Sequence, residues 1–160
     1  MCIRDRPDLV KGVPLVAGAY PLPDGLLPEG RLTGRRVLAL RGARDQFFDE
    51  DQLDAGAAGY RAAGAEVGLH ASFGSSEDGD ALAAELAGLR AEVGAVEGVR
   101  FHYLRFRYHQ TVRWLEDAGA RYDSSLGFSE APGFAAGIAR PYRPYLIGEE
   151  RPARLTLLPL

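Results

Sequence analysis

Short apolar runs alternate along the chain with longer segments whose apolar residues recur at helical spacing. The short runs predict strands and the longer segments predict helices. The predicted strands span 37–41, 65–70, 99–106 and 155–160, with a further short strand and its exit within 121–128. The predicted helices span 50–63, 79–94 and 108–118. Because helices separate most consecutive strands, the strands are expected to lie parallel, joined by right-handed crossovers. The pattern therefore predicts an α/β fold.

The segment 79–94 shows the clearest amphipathic spacing. Four of its apolar residues recur at intervals of three or four, which places on one face of a helix Leu82, Leu86, Leu89 and Val93. The polar stretch 75–78 precedes this face and offers side chains of the kind that cap helix N-termini. A helix that begins near residue 79 and packs through this face is therefore expected.

The chain is expected to have three parts. Residues 1–6 lack the apolar stretch of a secretory signal and resemble translated adapter sequence, so they are interpreted as a non-native leader. With no signal visible, the compartment is taken as cytoplasmic by default. Residues 7–36 are rich in proline and glycine and predict irregular chain. Residues 37–160 form the expected folded domain. The leader and the apolar C-terminal run 155–160 together predict a chain that is incomplete at both ends, with a C-terminal edge strand as the alternative for that run.

Composition narrows the classes of function. The 160 residues are 46% hydrophobic, which is enough apolar material for one globular domain. The net charge of −3 lacks the positive excess of a nucleic-acid-binding protein. No apolar run reaches the roughly 18 residues of a membrane-spanning helix. The single cysteine, Cys2, excludes an internal disulfide and a cysteine-rich zinc site.

Side chains with useful chemistry cluster where the predicted strands end. His70 ends one strand, Asp123 lies in another, and alternation in 99–106 places Arg100 and His102 on one side of the sheet. The carboxyl ends of parallel strands form the functional edge of parallel sheets and barrels. Structural alternatives stay open, with the histidines as core residues and Asp123 as a turn cap. A buried Arg100 requires an anionic partner, so a carboxylate is expected nearby.

Three segments of the chain occur in the order of the motifs of one known family. They are residues 66–73 (EVGLHASF), 98–106 (GVRFHYLRF) and 119–128 (GARYDSSLGF). Their order, their spacing and the intervening helices resemble polysaccharide deacetylases of the NodB-homology type. The resemblance covers about residues 37–160. It implies a partial, distorted (β/α)7 barrel and metal-dependent removal of acetyl groups from carbohydrates.

The resemblance also implies a metal site. His70 matches the first histidine of the family's metal motif, which implies a divalent metal, zinc by preference. The second histidine of that motif would fall at position 74, where the chain has Gly74. His102 replaces a proline of the family and is therefore expected in the pocket, where it could substitute as a ligand.

The remaining roles follow from the same resemblance. Arg100 matches an arginine that orients the catalytic aspartate, and Asp123 begins a further motif, so both are assigned to catalysis. His102, Tyr103 and Ser124 are assigned to substrate binding. In the mechanism that the family implies, metal-activated water attacks the acetamide carbonyl, a carboxylate takes the proton, and a histidine protonates the leaving amine.

Two motifs of the family are not recognisable in the chain. The aspartate-rich first motif would precede the strand at 37–41, and the final leucine-x-histidine motif would fall beyond residue 160. The chain as given is therefore expected not to be a competent enzyme by itself. Two alternatives stay open: a non-catalytic relative that binds carbohydrate on the same barrel, and an unrelated α/β-barrel sugar enzyme.

Overall fold

The structure is a computed structural model that describes residues 38–42, 58, 60–62, 64–128 and 130–159. The predicted leader 1–6, the irregular segment 7–36 and most of the predicted helix 50–63 lie outside these residues. Of that helix, residues 58 and 60–62 are helical. The chain divides into two compact units, residues 1–68 and residues 69–160.

The described secondary structure alternates strands with helices, as predicted. Strand β1 (Leu38–Gly42) lies in the first unit, one residue from its predicted bounds. The later elements are β2 (Glu66–Ala71), α1 (Gly79–Val93), β3 (Gly98–Phe101), α2 (Tyr108–Asp117), β4 (Tyr122–Asp123), β5 (Tyr145–Leu146), β6 (Arg151–Pro152) and β7 (Thr156–Leu157). No helix in this described part of the chain is long and apolar enough to cross a bilayer.

The central feature is a parallel sheet in which β2, β3, β4 and β7 lie side by side. The register pairs Leu69 with Val99, Val99 with Asp123, and Asp123 with Leu157. Strands β5 and β6 pair antiparallel as a separate hairpin, so β7 is the next strand to join the sheet after β4. The predicted α/β class with parallel strands is confirmed.

Apolar side chains from the sheet and both helices form a buried cluster. The predicted face of α1 supplies Leu82, Leu86 and Leu89, which are all buried. The other principal members of the cluster are Leu69, Val99, Phe101, Val112, Leu115, Leu155 and Leu157. Burial of this apolar surface is the main favourable term in folding, and it fixes the sheet against the two helices.

The first turn of α1 is capped and closely packed. Asp78 is the N-cap residue, and its Oδ1 accepts hydrogen bonds from the backbone N–H groups of Asp80 at 2.9 Å and Ala81 at 3.1 Å. Gly79 lies directly against the indole of Trp114 on α2. A Cβ atom at Gly79 would fall 2.6 Å from Trp114 Cδ1, so this approach requires glycine.

Two predicted strands were too long. The strand predicted at 99–106 ends at Phe101, because Tyr103 and Leu104 adopt φ of +54°, which is incompatible with a strand. The segment 121–128 holds the short strand β4 followed by its exit, as predicted, and the Asp123 side chain accepts a hydrogen bond from the backbone of Ser125 where the chain leaves the strand. The last predicted strand is limited to β7.

Candidate functional site

The sheet register brings two of the predicted site residues together at the carboxyl ends of β2 and β3. His70 pairs with Arg100 across these strands, so both side chains lie on the same face. Beyond the last paired residue of β4 comes Ser124, and the Arg100 Nε donates a hydrogen bond to its Oγ at 3.1 Å. His70, Arg100 and Ser124 therefore follow one another across three neighbouring strand ends.

A second histidine joins this row from the turn that follows β3. His102 begins a 3₁₀ turn, His102–Leu104, and its Nδ1 lies 3.1 Å from the Nε2 of His70. The two half-buried rings meet edge to face, with centroids 5.3 Å apart. One imidazole must donate and the other accept, so this hydrogen bond holds one shared proton between the rings.

The contact depends on the backbone that follows His102. In a continued strand, Arg100 and His102 would be two positions apart, and their side chains would point to the same face of the sheet. Instead, the left-handed conformations of Tyr103 and Leu104 end the strand and turn the chain at His102. Two consecutive residues other than glycine with positive φ are uncommon, and such strain clusters at functional sites.

Arg100 is a buried cation with an incomplete set of partners. The residue is 4% exposed, and its Nη2 has no hydrogen-bond partner among the described residues. Burial lowers the pKa of the guanidinium, and the nearby carboxylate of Asp123 opposes that shift. The carboxylate expected from the sequence near Arg100 is therefore present, but the charge is not fully matched by direct hydrogen bonds.

Asp123 occupies a row of the sheet whose other members are apolar. It stands in register between Val99 and Leu157 and is fully buried. Its Oδ1 accepts a hydrogen bond from the backbone N–H of Ser125, and its Oδ2 accepts one from the Ser125 Oγ, both at 2.7 Å. Burial raises the pKa of Asp123 to about 7, although the bonds from Ser125 and the charge of Arg100 pull it down.

The Ser125 hydroxyl also links β4 to β3. It accepts a hydrogen bond from the backbone N–H of Phe101 at 2.9 Å while it donates to Asp123. The carboxylate thereby fixes the exit of β4 against the last residue of β3. These contacts favour a positioning role for Asp123, because both of its oxygens are already engaged.

The loop after β2 is held by a carboxylate on α1. Glu85 accepts hydrogen bonds from the Ser72 backbone N–H at 3.0 Å, the Ser72 Oγ at 2.5 Å and the Ser75 Oγ at 2.6 Å. Sequence reasoning missed this residue. A signal was present, since Glu85 lies between Leu82 and Leu89 on the otherwise apolar stripe of the helix.

Comparisons with known protein families, with curated proteins and with solved structures find no match for this chain. The chemistry of the site therefore has to be judged from its geometry. The structure brings together His70 with His102, and Arg100 with Ser124 and Asp123. Tyr103 is the next residue after His102 in the chain, and the centroids of the two rings lie 4.3 Å apart.

The donor set fits a divalent metal only in part. Two imidazole nitrogens on one tetrahedral zinc ion, each at about 2.0–2.1 Å, are about 3.3 Å apart, close to the 3.1 Å between His70 and His102. Gly74 lies in a 3₁₀ turn and supplies no ligand. Within the described residues, no group of three histidine, cysteine or acidic side chains is placed to hold a metal. A catalytic zinc site needs about three protein ligands, so this pair supplies part of one.

Proposed function

We propose that this chain is part of a metal-dependent hydrolase that removes acetyl groups from carbohydrates, on a partial (β/α)7 barrel of the polysaccharide-deacetylase type. The observation that supports this most is the contact between His70 and His102 at the ends of neighbouring parallel strands. Imidazole nitrogens on rigid strand ends are suitable ligands for zinc. The resemblance of the three strand-end segments supplies the reaction class.

In this proposal His70 and His102 hold the divalent metal, with zinc preferred. When bound, such a metal polarises a carbonyl oxygen and lowers the pKa of a water molecule. The chain's own part is to hold the two imidazoles at a fixed separation. The parallel pairing of β2 with β3 and the sharp turn at His102 supply that rigidity.

Arg100, Ser124 and Asp123 form the polar floor beside the histidines. Arg100 Nη2 is a buried donor with no hydrogen-bond acceptor among the described residues. It is therefore available to an acyl oxygen or a carboxylate, supplied by the substrate or by another part of the chain. Asp123 acts on this floor through Arg100 and Ser125 and not by direct contact with the substrate. Ser124 orients Arg100 through the bond to its Nε.

A non-catalytic carbohydrate-binding relative is the second candidate. The observation that favours it is the absence of a three-ligand metal group in the described part of the chain. In that case the two histidines would form their hydrogen bond with no metal between them, and the residues at the strand ends would bind a sugar without hydrolysing it.

Zinc binding and acetate release test the proposal together. The purified full chain is titrated with Zn²⁺ by calorimetry and incubated with tetra-N-acetylchitotetraose and Zn²⁺ while free acetate is measured. We expect His70→Asn and His102→Asn each to weaken zinc binding by at least about tenfold. The matched control is His109→Asn, which alters an exposed histidine on α2 and should bind zinc as the wild type does.

Each result has a defined meaning. Zinc binding that depends on both histidines, together with acetate release, supports the hydrolase. Binding of the tetrasaccharide by a chain that does not bind zinc through His70 and His102 supports the second candidate. Equal zinc affinity in all three variants overturns the metal assignment, since His70 and His102 would then contribute no more than His109.

A further inference from the structure

Two exposed aromatic rings stand beside the histidine pair, one on each neighbouring loop. Phe73 follows β2 and is 56% exposed, and Tyr103 follows β3 and is 74% exposed. Their rings meet edge to face, with centroids 6.4 Å apart. We call Phe73, Tyr103 and the adjacent Arg105 the aromatic ledge. Adjacent exposed rings form a contiguous apolar patch, and such patches mark interaction sites on protein surfaces.

The Phe73 side of the ledge is held in place by charged groups. The Arg105 guanidinium carbon lies 4.0 Å from the centre of the Phe73 ring. The same guanidinium forms a salt bridge with Glu77 at 2.5 Å. The hydrogen bonds from Ser72 and Ser75 to Glu85 fix the chain on both sides of Phe73. The ring therefore has little freedom to lose on binding.

The Tyr103 side is held by a strained backbone. Tyr103 has φ of +54° and ψ of +24°, and Leu104 has a φ of the same sign. A left-handed conformation at residues other than glycine costs roughly 1–3 kcal/mol each. The conformation presents the tyrosine ring to solvent and brings His102 to His70. The strain thus produces both the exposed ring and the histidine contact.

We propose that the aromatic ledge is a carbohydrate-binding subsite, on which one pyranose ring stacks so that a neighbouring sugar reaches the histidine pair. This inference rests on the proposed function for the substrate class. A pyranose has apolar C–H faces and a rim of hydroxyl groups. The ledge offers an open ring face on Tyr103 with hydrogen-bonding groups at its border, namely Arg105, Glu77 and His102.

The geometry makes the ledge and the histidine pair continuous. The ring of His102 contacts Tyr103 on one side and His70 on the other, with centroid distances of 4.3 Å and 5.3 Å. A sugar chain that lies on Tyr103 is therefore one ring away from the His70–His102 contact. The Glu77 carboxylate pairs with both Arg105 and Arg107, at 2.5 Å and 3.1 Å, so the border of the ledge offers charged hydrogen-bonding groups to the hydroxyl rim of a sugar.

Binding measurements on ledge variants test the inference. The full chain is titrated with tetra-N-acetylchitotetraose by calorimetry, without added metal. We expect Tyr103→Ala and Phe73→Ala each to raise the Kd by about tenfold, and Tyr103→Trp to retain binding because it keeps a large ring face. The matched controls are Tyr145→Ala and Phe128→Ala, which remove rings of similar exposure away from the ledge and should leave the Kd unchanged.

The outcomes separate the ledge from the hydrolase. If the ledge variants and the controls bind equally, or if the wild type does not bind the tetrasaccharide at millimolar concentration, the subsite is overturned. If binding of the tetrasaccharide depends on the ledge but zinc affinity does not depend on His70 or His102, the subsite stands and the metal-dependent hydrolase falls. If acetate is released at the wild-type rate by both ledge variants, the hydrolase stands and the subsite falls.

Discussion

Two regions of the second unit hold charged or polar groups away from water in opposite ways. Around Glu116 on α2, hydrogen bonds and an ion pair join the helix to residues 151–154. The Glu116 side chain is 2% exposed and accepts hydrogen bonds from Arg151 Nη2 at 2.9 Å and from the backbone N–H of Arg154. Burial raises the pKa of Glu116, but these hydrogen bonds outweigh it, and the net pKa is lowered.

The strand-end region, in contrast, contains polar and aromatic groups whose interactions within the described residues are incomplete. Arg100 keeps a buried donor without a partner among the described residues, Tyr103 presents its ring to solvent, and the backbone there is strained. Such features cost stability, and they cluster at functional sites in proteins. The difference shows that burial alone does not identify a functional group. Glu116 is more buried than His70, yet both of its carboxylate oxygens already accept hydrogen bonds from Arg151 and Arg154.

The largest expected effect comes from Asp123, which tests whether the strand-end region also has a structural anchor. Asp123→Ala leaves the N–H and Oγ–H of Ser125 without their buried acceptor and the charge of Arg100 without its nearby carboxylate. We expect a loss of about 3 kcal/mol or more in the free energy of unfolding, measured by urea denaturation. A loss under about 1 kcal/mol would show that water replaces the carboxylate and that Asp123 is open to substrate.

The pH dependence of stability gives a second measure of the same residue. The pKa of Asp123 is about 7 in the folded state and near 3.8 when exposed, so the folded chain keeps a proton that the unfolded chain has released. The free energy of unfolding should therefore fall as pH rises from about 4 to about 7, and level off above that. In Asp123→Asn this part of the slope should vanish. An identical slope in both proteins would contradict a raised pKa.

Glu116 is expected to rank second. Glu116→Ala removes the acceptor of Arg151 and of the Arg154 backbone, and we expect thermal and urea unfolding to show a loss of about 2 kcal/mol. Glu149→Ala is the matched control. Glu149 also pairs with Arg151, at 2.5 Å, but it is 31% exposed, so its removal should cost under about 1 kcal/mol. Equal losses in the two variants would remove the contrast between a completed network and a surface pair.

Two glycines of α1 provide a smaller and sharper test of packing. Gly79→Ala pushes a methyl group into Trp114, which should cost about 1–2 kcal/mol. Gly88→Ala, in the same helix, meets no atom within 4 Å and should stabilise the protein by about 0.5–1 kcal/mol, because alanine is the better helix former. The melting temperature should therefore fall in Gly79→Ala and rise in Gly88→Ala. Changes of the same sign would contradict the close contact between α1 and α2.

These contrasts also show what the sequence could predict. The apolar stripe of α1 and the strand positions of β2 and β3 follow from periodicity, because local patterns dictate which side chains face a core. The turn at His102 could not be predicted, since alternation in 99–106 looks like an unbroken strand and nothing local forces Tyr103 to a positive φ. The clamp at Glu85 and the network at Glu116 join residues 10 to 38 positions apart, and such contacts depend on tertiary packing.

The hairpin of β5 and β6 was missed for a related reason. Each of its strands has two residues, too few to show any alternation, and one contains Pro152. Pairing of Tyr145 with Pro152 and of Leu146 with Arg151 follows from the turn between them and from the contact of Arg151 with Glu116. The candidate site residues His70, Arg100 and Asp123 were predicted from their positions at strand ends, whereas the hydrogen-bond partners of these residues could not be predicted from the sequence.

The smallest effect on stability, and the one that decides the comparison, is expected at His102. The hydrogen bond between the half-buried rings of His102 and His70 is worth only about 0.5–1.5 kcal/mol, and its loss in His102→Ala is reduced further if the strained turn relaxes. We therefore expect a change of under about 1 kcal/mol in the free energy of unfolding, alongside the loss of zinc binding. A loss of about 2 kcal/mol or more with zinc affinity unchanged would contradict this, because the pair would then be a structural contact like that of Glu116. A small change in the free energy of unfolding together with a large loss of zinc affinity would identify His102 as a residue that contributes to binding and not to the stability of the fold.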